Sequence, residues 1–221
     1  RRGLDVMRRR GNVGLATLAD VAGADRSPDT YLAGFVLGPR INAGGRVGQA
    51  DLGHRLLTSG DAAAALPLAR ALDQYNSERK AIEQAVTEAA SQEAEKALDR
   101  AALVVAGNGW HGGVIGLAAS RLADRHGRPA LVIGFDGDEG KGSARSRPGI
   151  DIGTIVTAAC QADLLVAGGG HPMAAGFTVA RDRLDDFRGF VEERVAAQAV
   201  SSGGPSLGLD GAMAVAAASR D

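Results

Sequence analysis

The spacing of apolar positions changes character at about residue 61 and again at about residue 100. In the middle stretch, Asp61 to Asp99, the chain is polar and alanine-rich. Leu68, Tyr75, Ile82 and Ala89 recur every seven residues there, with Leu72, Arg79 and Val86 recurring beside them. This is one apolar stripe at helical spacing, and it predicts a single long helix. A stripe that narrow suits a connector between two lobes. Pro67 fits such a helix only in its first turn or at a kink.

Before the stripe the apolar runs are short. Arg1–Arg10 reads as a basic amphipathic helix stopped by Gly11, and Val13–Val21 as a second short helix. Thr30–Leu37 is apolar and breaks at Gly38-Pro39. Arg40–Arg46, with two arginines, Asn42 and two glycines, reads as a loop. Ala50–Leu57 returns to helical spacing and closes at Thr58-Ser59-Gly60.

After Arg100 short buried-strand patterns alternate with helical ones. Ala101–Ala106, Ala130–Phe135, Lys141–Arg147, Asp163–Ala167 and Phe177–Ala180 read as extended. Gly113–His126, Ile152–Gln161 and Asp182–Ala197 read as helices. That alternation predicts a small α/β layer domain. The division expected is 1–60, a helical connector over 61–99, an α/β domain over 100–198, and 199–221. The last begins with a Ser201–Ser206 linker. The first residue is arginine and the last segment is alanine-rich, so the sequence reads as a piece of a longer protein.

Composition narrows the chemistry. The net charge is −1 over 221 residues, so any anion binding must come from local patches rather than a global basic field. One cysteine, Cys160, rules out an internal disulfide framework and a Cys-type zinc site, and fits a cytoplasmic protein. In its apolar run Cys160 reads as a small buried hydrophobe. No apolar run reaches membrane-spanning length. His54 and His126 fall on helices, and Asp136, Asp138 and Glu139 read as a polar turn rather than metal ligands.

Four patches carry candidate chemistry. Gly168-Gly169-Gly170-His171 begins a run of glycines and small residues ending at Phe177. Three glycines together contribute no packing and cost backbone entropy. They let amides approach an anion, with a following helix N-terminus to complete the site and His171 in reach. The alternative is a tight turn with a solvated histidine. Gly107-Asn108-Gly109-Trp110-His111-Gly112 has the form G-x-G-x-x-G after a strand and before a helix. The bulk of Trp110 and His111 argues against a dinucleotide there. Trp110 reads either as a stacking partner or as a cap on the core. Lys141–Arg147 carries three cations and two hydroxyls without an acid, so that Ser143, Arg145 and Arg147 share one side of an extended segment. The alternative is a charged edge strand. Arg40, Asn42 and Arg46 form the fourth patch, as a clamp on a phosphate or as solvated turn residues.

Taken in order, four motifs resemble the DHH phosphoesterase family, and in particular its single-stranded-DNA-specific exonucleases. They are Gly38-Pro39-Arg40-Ile41-Asn42-Ala43-Gly44-Gly45-Arg46, Gly109-Trp110-His111-Gly112-Gly113-Val114-Ile115-Gly116, Gly142-Ser143-Ala144-Arg145-Ser146 and Gly168–Gly176. The last three are similar to the family's DHHA1 substrate-binding domain and the first to the end of its DHH catalytic domain. The resemblance implies a DHHA1-type α/β domain joined by the long helix to the end of a DHH domain. It implies metal-assisted, 5′-to-3′ hydrolysis of DNA in repair and recombination, with Mn²⁺ or Mg²⁺ held by motifs outside this stretch. No catalytic residue and no metal ligand is expected here, and the isolated chain is expected to lack nuclease activity. The resemblance assigns substrate binding to Arg40, Asn42 and Arg46 from one side. From the other it assigns Trp110, His111, Ser143, Arg145, Gly168, Gly169, Gly170 and His171. It further implies single-stranded DNA with a 5′ end as partner, together with single-strand-binding protein and a RecQ-type helicase, and a monomeric state. Leu207–Gly211 resembles the first strand of an OB-fold. Gly44 stands where the family motif usually has alanine, from which a more flexible loop is expected. Other classes stay open: a DHH phosphodiesterase for short oligonucleotides or cyclic dinucleotides, a non-catalytic RNA-binding DHHA1-like domain, and, distantly, a dinucleotide-dependent oxidoreductase.

Overall fold

The computed structural model describes residues 2–25, 27–201, 211 and 214. A helical lobe comes first: α1 (Arg2–Arg8), α2 (Val13–Val21), α3 (Gly38–Val47) and α4 (Leu52–Leu57). The connector α5 (Ala62–Glu95) leads into an α/β domain of β1 (Leu103–Asn108), α6 (Gly112–His126), β2 (Ala130–Asp136), β3 (Glu139–Arg145), α7 (Ile152–Gln161), β4 (Ala167–His171), β5 (Ala174–Ala180) and α8 (Leu184–Ser201). Most of the Ser201–Ser206 linker and the strand expected at Leu207–Gly211 lie outside the described residues.

The single long helix is present as one element. Asp61 caps it, its carboxylate accepting from the Ala63 and Ala64 amides. Its buried line runs Ala65, Ala69, Leu72, Asn76, Arg79, Glu83, Val86, Ala90 and Ala94, at steps of three and four. The row Leu68, Tyr75, Ile82, Ala89 flanks that line and is half-buried. Pro67 lies in the second turn, and the helix runs through it. The N-terminal half of α5 closes the helical lobe with Leu18, Leu32, Leu37, Leu52 and Leu56. Its C-terminal half packs with α6 on the sheet. Between the two cores sits a buried ionic cluster: Glu83 accepts from both Arg79 and Arg121, and Asn76 Oδ1 accepts from Arg79 at 3.1 Å. A buried carboxylate is tolerated because two guanidiniums offset its desolvation.

The sheet order is β1-β2-β3-β5-β4, with β1 and β2 parallel and the rest antiparallel. One face packs on α5 and α6 through Leu103, Val105, Ala130 and Val132. The other packs on α7 and α8 around Phe177 and Phe187, whose rings are 5.0 Å apart. Burying Phe187 completely contributes about 2–3 kcal/mol. Gly127, at φ 65°, ends α6 with the left-handed conformation that glycine adopts without strain.

Three expectations are corrected. Arg40–Arg46 is not a loop: it lies within α3, and helix continues back to Thr30 through a π turn at Leu32–Leu37. Pro39 has no N–H, and its ring would strike the Phe35 carbonyl in a regular α-helix. The wider turn, in which the Gly38 amide bonds Ala33 O, accommodates it. Gly44 is consequently buried rather than flexible; a Cβ there would meet Gln49 O at 2.5 Å and Leu72 at 3.3 Å. The glycine run does not open a helix. It forms β4, which turns through Pro172-Met173 into β5, so the strand expected at Asp163–Ala167 starts only at Ala167. Asp163 itself takes φ 56° in the turn after α7. Cys160 is half-buried, its Sγ 3.8 Å from Gly168 O, rather than a core residue.

Candidate nucleic-acid interface

The sheet register decides which motif residues meet. Ser143 pairs with Gly176, and Gly176 with Gly169; Arg145 pairs with Ala174, and Ala174 with His171. Residues in one cross-strand row share a face. Ser143 and Arg145 are on the α6 face, because a Cβ on Gly116 of α6 would lie 3.0 Å from both Ser143 Oγ and Arg145 Nη2. The same face carries Gly176 and Gly169, and a Cβ on either would meet nothing within 4 Å. The result is an open floor of two glycines, beside a hydroxyl and a guanidinium, on strands that α6 leaves uncovered.

Arg46 completes the cationic side. Its Nη1 donates to Gly113 O at 3.1 Å, and Gly113 has no room for a side chain because the Arg46 carbonyl occupies that space. The end of α3 thus docks on the first turn of α6 by backbone contact. Arg145 Nη1 donates to Ser143 Oγ at 3.0 Å and Ala144 O at 2.8 Å. Burial first, and the nearby charge of Arg46 second, push the Arg145 guanidinium below its ordinary pKa. Among the described residues neither arginine forms an ion pair. Two cations near each other, one partly desolvated and neither neutralised, favour an anion between them.

The remaining motif residues are placed differently. Arg40 does not reach this face: its Nε donates to Asp73 at 2.7 Å and its Nη1 to Val36 O at 2.7 Å, locking α3 to α5. Asn42 is exposed on α3. Arg147 lies beyond β3 on the same α6 side as Ser143 and Arg145, but its charge is taken up by Asp124 of α6 at 2.6 Å. His111 caps α6, Nδ1 accepting from the Gly113 amide at 3.0 Å. Trp110 packs against the α6-side core and over Gly107, where a Cβ would strike the indole, as a cap on the core would. His171 ends β4, its Nδ1 3.4 Å from the Met173 amide. It lines a hollow of about 320 Å³ with Asp151 and Thr154 of the α7 N-terminus. Asp151 caps α7 through the Thr154 amide at 3.0 Å; this hydrogen bond, with His171 contributing last, holds its carboxyl below the usual range. Gly113, Gly116 and Gly176 lie within the sequence motifs but were given no site role there. Gly116 had a readable signal, since glycine inside a helix is costly unless something must approach it. Among the described residues no group of three or more His, Cys, Asp or Glu side chains is gathered to hold a metal ion, and no helix is long and apolar enough to cross a membrane.

The DHHA1 domain family matches residues 99–197. The single-stranded-DNA-specific exonuclease RecJ of Bacillus subtilis is 42% identical over 195 residues, 86% of this chain and 25% of that protein. RecJ of Escherichia coli is 35% identical over 188 residues, 79% of this chain and 32% of that protein. The crystal structure of Thermus thermophilus RecJ in complex with Mn²⁺ superposes with a TM-score of 0.77 at 33% identity, over 88% of this chain and 28% of that one. A second structure, of exonuclease RecJ bound to manganese, gives 0.77 at 31% identity, over 91% of this chain and 50% of that one. The chain therefore spans about a quarter to a third of the length of these curated relatives.

Proposed function

This chain is a RecJ relative over its DHHA1 domain and the helical lobe before it, and on that premise we propose that it is the strand-holding part of a single-stranded-DNA exonuclease. The observation that carries the reading is the row Ser143–Gly176–Gly169 beside Arg145, with Arg46 supplied from the other lobe. Arg145 and Ser143 hold a phosphate of the strand, terminal or internal, and Arg46 faces it across the gap. The glycine floor of Gly169 and Gly176 lets the sugar-phosphate backbone lie close to the sheet, while Gly168 and Gly170 turn toward the α7 side of the same strand. His171 stands at the end of that floor. Asn42 meets the strand from α3, while Arg40 keeps α3 in place.

Mn²⁺ or Mg²⁺ would supply the hydrolytic chemistry of the whole enzyme. The residues described here do not fit such an ion, so no hydrolytic step is assigned to them. The isolated chain is accordingly expected to bind without cutting. Single-strand-binding protein and a RecQ-type helicase are the partners to try, with the chain as a monomer.

The test is fluorescence anisotropy with labelled single-stranded DNA, with and without a 5′-phosphate, at two salt concentrations. Salt-sensitive binding that falls in Arg145→Ala and His171→Ala supports the reading, with a slope of about −0.7 per phosphate contacted. Binding indifferent to both substitutions sinks it. Incubation with Mn²⁺ addresses the second expectation, which digestion of the DNA would refute.

A further inference from the structure

A second recess lies at the other end of β3, where the parallel strands β1 and β2 end and the chain turns into α6. It encloses about 590 Å³ and is lined by Trp110, His111, Asp136, Lys141 and Arg181 together with loop glycines. That volume lies within the range of small-molecule sites, and the C-terminal ends of parallel strands are where α/β sheets place ligands. Lys141 is four residues along β3 from Arg145, about 13 Å at strand rise. The recess therefore lies on the same face of β3 as the phosphate site but displaced along the strand from it.

Besides the Asp136 carboxylate, its wall has three kinds of chemistry. Trp110 offers an aromatic ring. Lys141 and Arg181 supply positive charge. Arg181 spends its hydrogen bonds on neutral partners, Asn108 Oδ1 at 2.8 Å and Gly137 O, and stacks 4.1 Å over Phe135. Lys141 is shared between Glu139 at 2.7 Å and Thr178 Oγ1 at 3.1 Å. Because His111 Nδ1 accepts from the Gly113 amide, its Nε2 is left to donate. The glycines add access. A Cβ at Gly112 would meet nothing within 4 Å, and its backbone needs no left-handed conformation, so neither packing nor strain calls for glycine there. An inorganic anion alone would have no use for the ring, and an apolar ligand none for the cations.

We propose that this recess is a subsite for a nucleobase carrying a phosphate, the base against Trp110 and the phosphate toward Lys141 and Arg181. The ligand is either a free mononucleotide or a nucleotide of a strand; the inference rests on the nucleic-acid reading only for that source.

Trp110 is the only tryptophan in the chain, so its fluorescence reports the recess directly. The 221-residue chain is titrated with dTMP, thymidine, inorganic phosphate and 5′-phosphorylated oligo(dT), with excitation at the red edge of the indole band. Saturable quenching by dTMP, weaker with thymidine and absent with phosphate, is expected. Lys141→Ala should weaken the dTMP response at least fivefold, and Arg181→Ala serves as a second variant. Quenching by oligo(dT) without dTMP would also support the subsite and assign it to the strand. No quenching by either, or an equal response to phosphate alone, overturns it. Arg145→Ala separates the two ideas: it should lower strand affinity in anisotropy while leaving the dTMP quench in place. If it abolishes the dTMP quench, the recess is not a separate subsite.

Discussion

The two edges of the sheet are treated in opposite ways. At the β1 edge, side chains from α8 bond backbone groups at and just before the start of the strand. Glu192 accepts from the Ala101 and Ala102 amides at 2.7 and 3.3 Å, and Arg188 donates to Val104 O at 3.3 Å. At the β4 edge all five residues, Ala167 to His171, are exposed, and three of them are glycines. An uncovered edge invites pairing with another chain, and proteins ordinarily block it with charge, cover or a bulge. Here one edge is blocked by a carboxylate and a guanidinium, and the other is stripped of side chains next to a patch of unpaired arginine. The contrast separates an edge kept for stability from one kept for a ligand.

Five substitutions test that contrast, from the largest expected effect to the smallest. Arg145→Ala removes the charged end of the open side. A hydrogen bond to a charged group contributes about 1.5–3 kcal/mol, so affinity for single-stranded DNA should fall about ten- to hundredfold, with thermal stability kept. Glu192→Ala strips the blocked edge of its acceptor. Leaving the two amides unpaired should cost about 1–3 kcal/mol in urea unfolding with no change in DNA affinity. An altered affinity would mean the edges are not independent. Gly169→Ala adds a methyl where nothing lies within 4 Å, so the fold should tolerate it while binding weakens a few-fold. Gly170→Ala should instead destabilise, because its Cβ would strike the Ala174–Ala175 backbone. Asp151→Ala touches only the helix that braces the open edge. Its folded carboxyl is held low, so the cap's contribution is present above the usual aspartate value and is lost as pH falls through the folded one. The melting temperature of the variant should lie below that of the parent at pH 7, and the gap should close in acid.

The sequence was readable where local pattern and tertiary environment agree. The single helix of α5, the buried strand β2 and the span of α7 over Ile152–Gln161 all follow from spacing and apolar runs. Reading failed where glycine served packing rather than turning. Gly44 and Gly45 suggested a loop, yet Gly44 lies inside α3, and it is glycine because α5 and the Gln49 carbonyl leave no room for a Cβ. The run at Gly168–Gly170 suggested a turn into a helix. It is an edge strand, since pairing with β5 and the close approach of α7 at Gly153 override its low strand propensity. Within the candidate site, Ser143 and Arg145 were legible from alternation along one strand. Gly169 was legible as part of a glycine run, but its place in one row with Gly176 and Ser143 was not, because cross-strand rows depend on a pairing order that local sequence does not encode. Arg40 and Arg46 look equivalent in the motif, but only the structure divides them, one tied to Asp73 and one left facing the gap.

The π turn at Leu32–Leu37 has one more consequence. A regular helix advances about 100° per residue, so one extra residue in a turn rotates everything after it by about that angle. The segment from Thr30 to Val47 is therefore a rod whose two halves are out of phase, a frameshift in space rather than in reading. In the first half the stacked rings of Tyr31 and Phe35 are exposed; in the second, Gly44 lies under α5 and Arg46 against α6. Removing one residue from the turn would leave the composition of the arginine motif unchanged and point it somewhere else. The motif is an address that holds only while the count of residues ahead of it is kept.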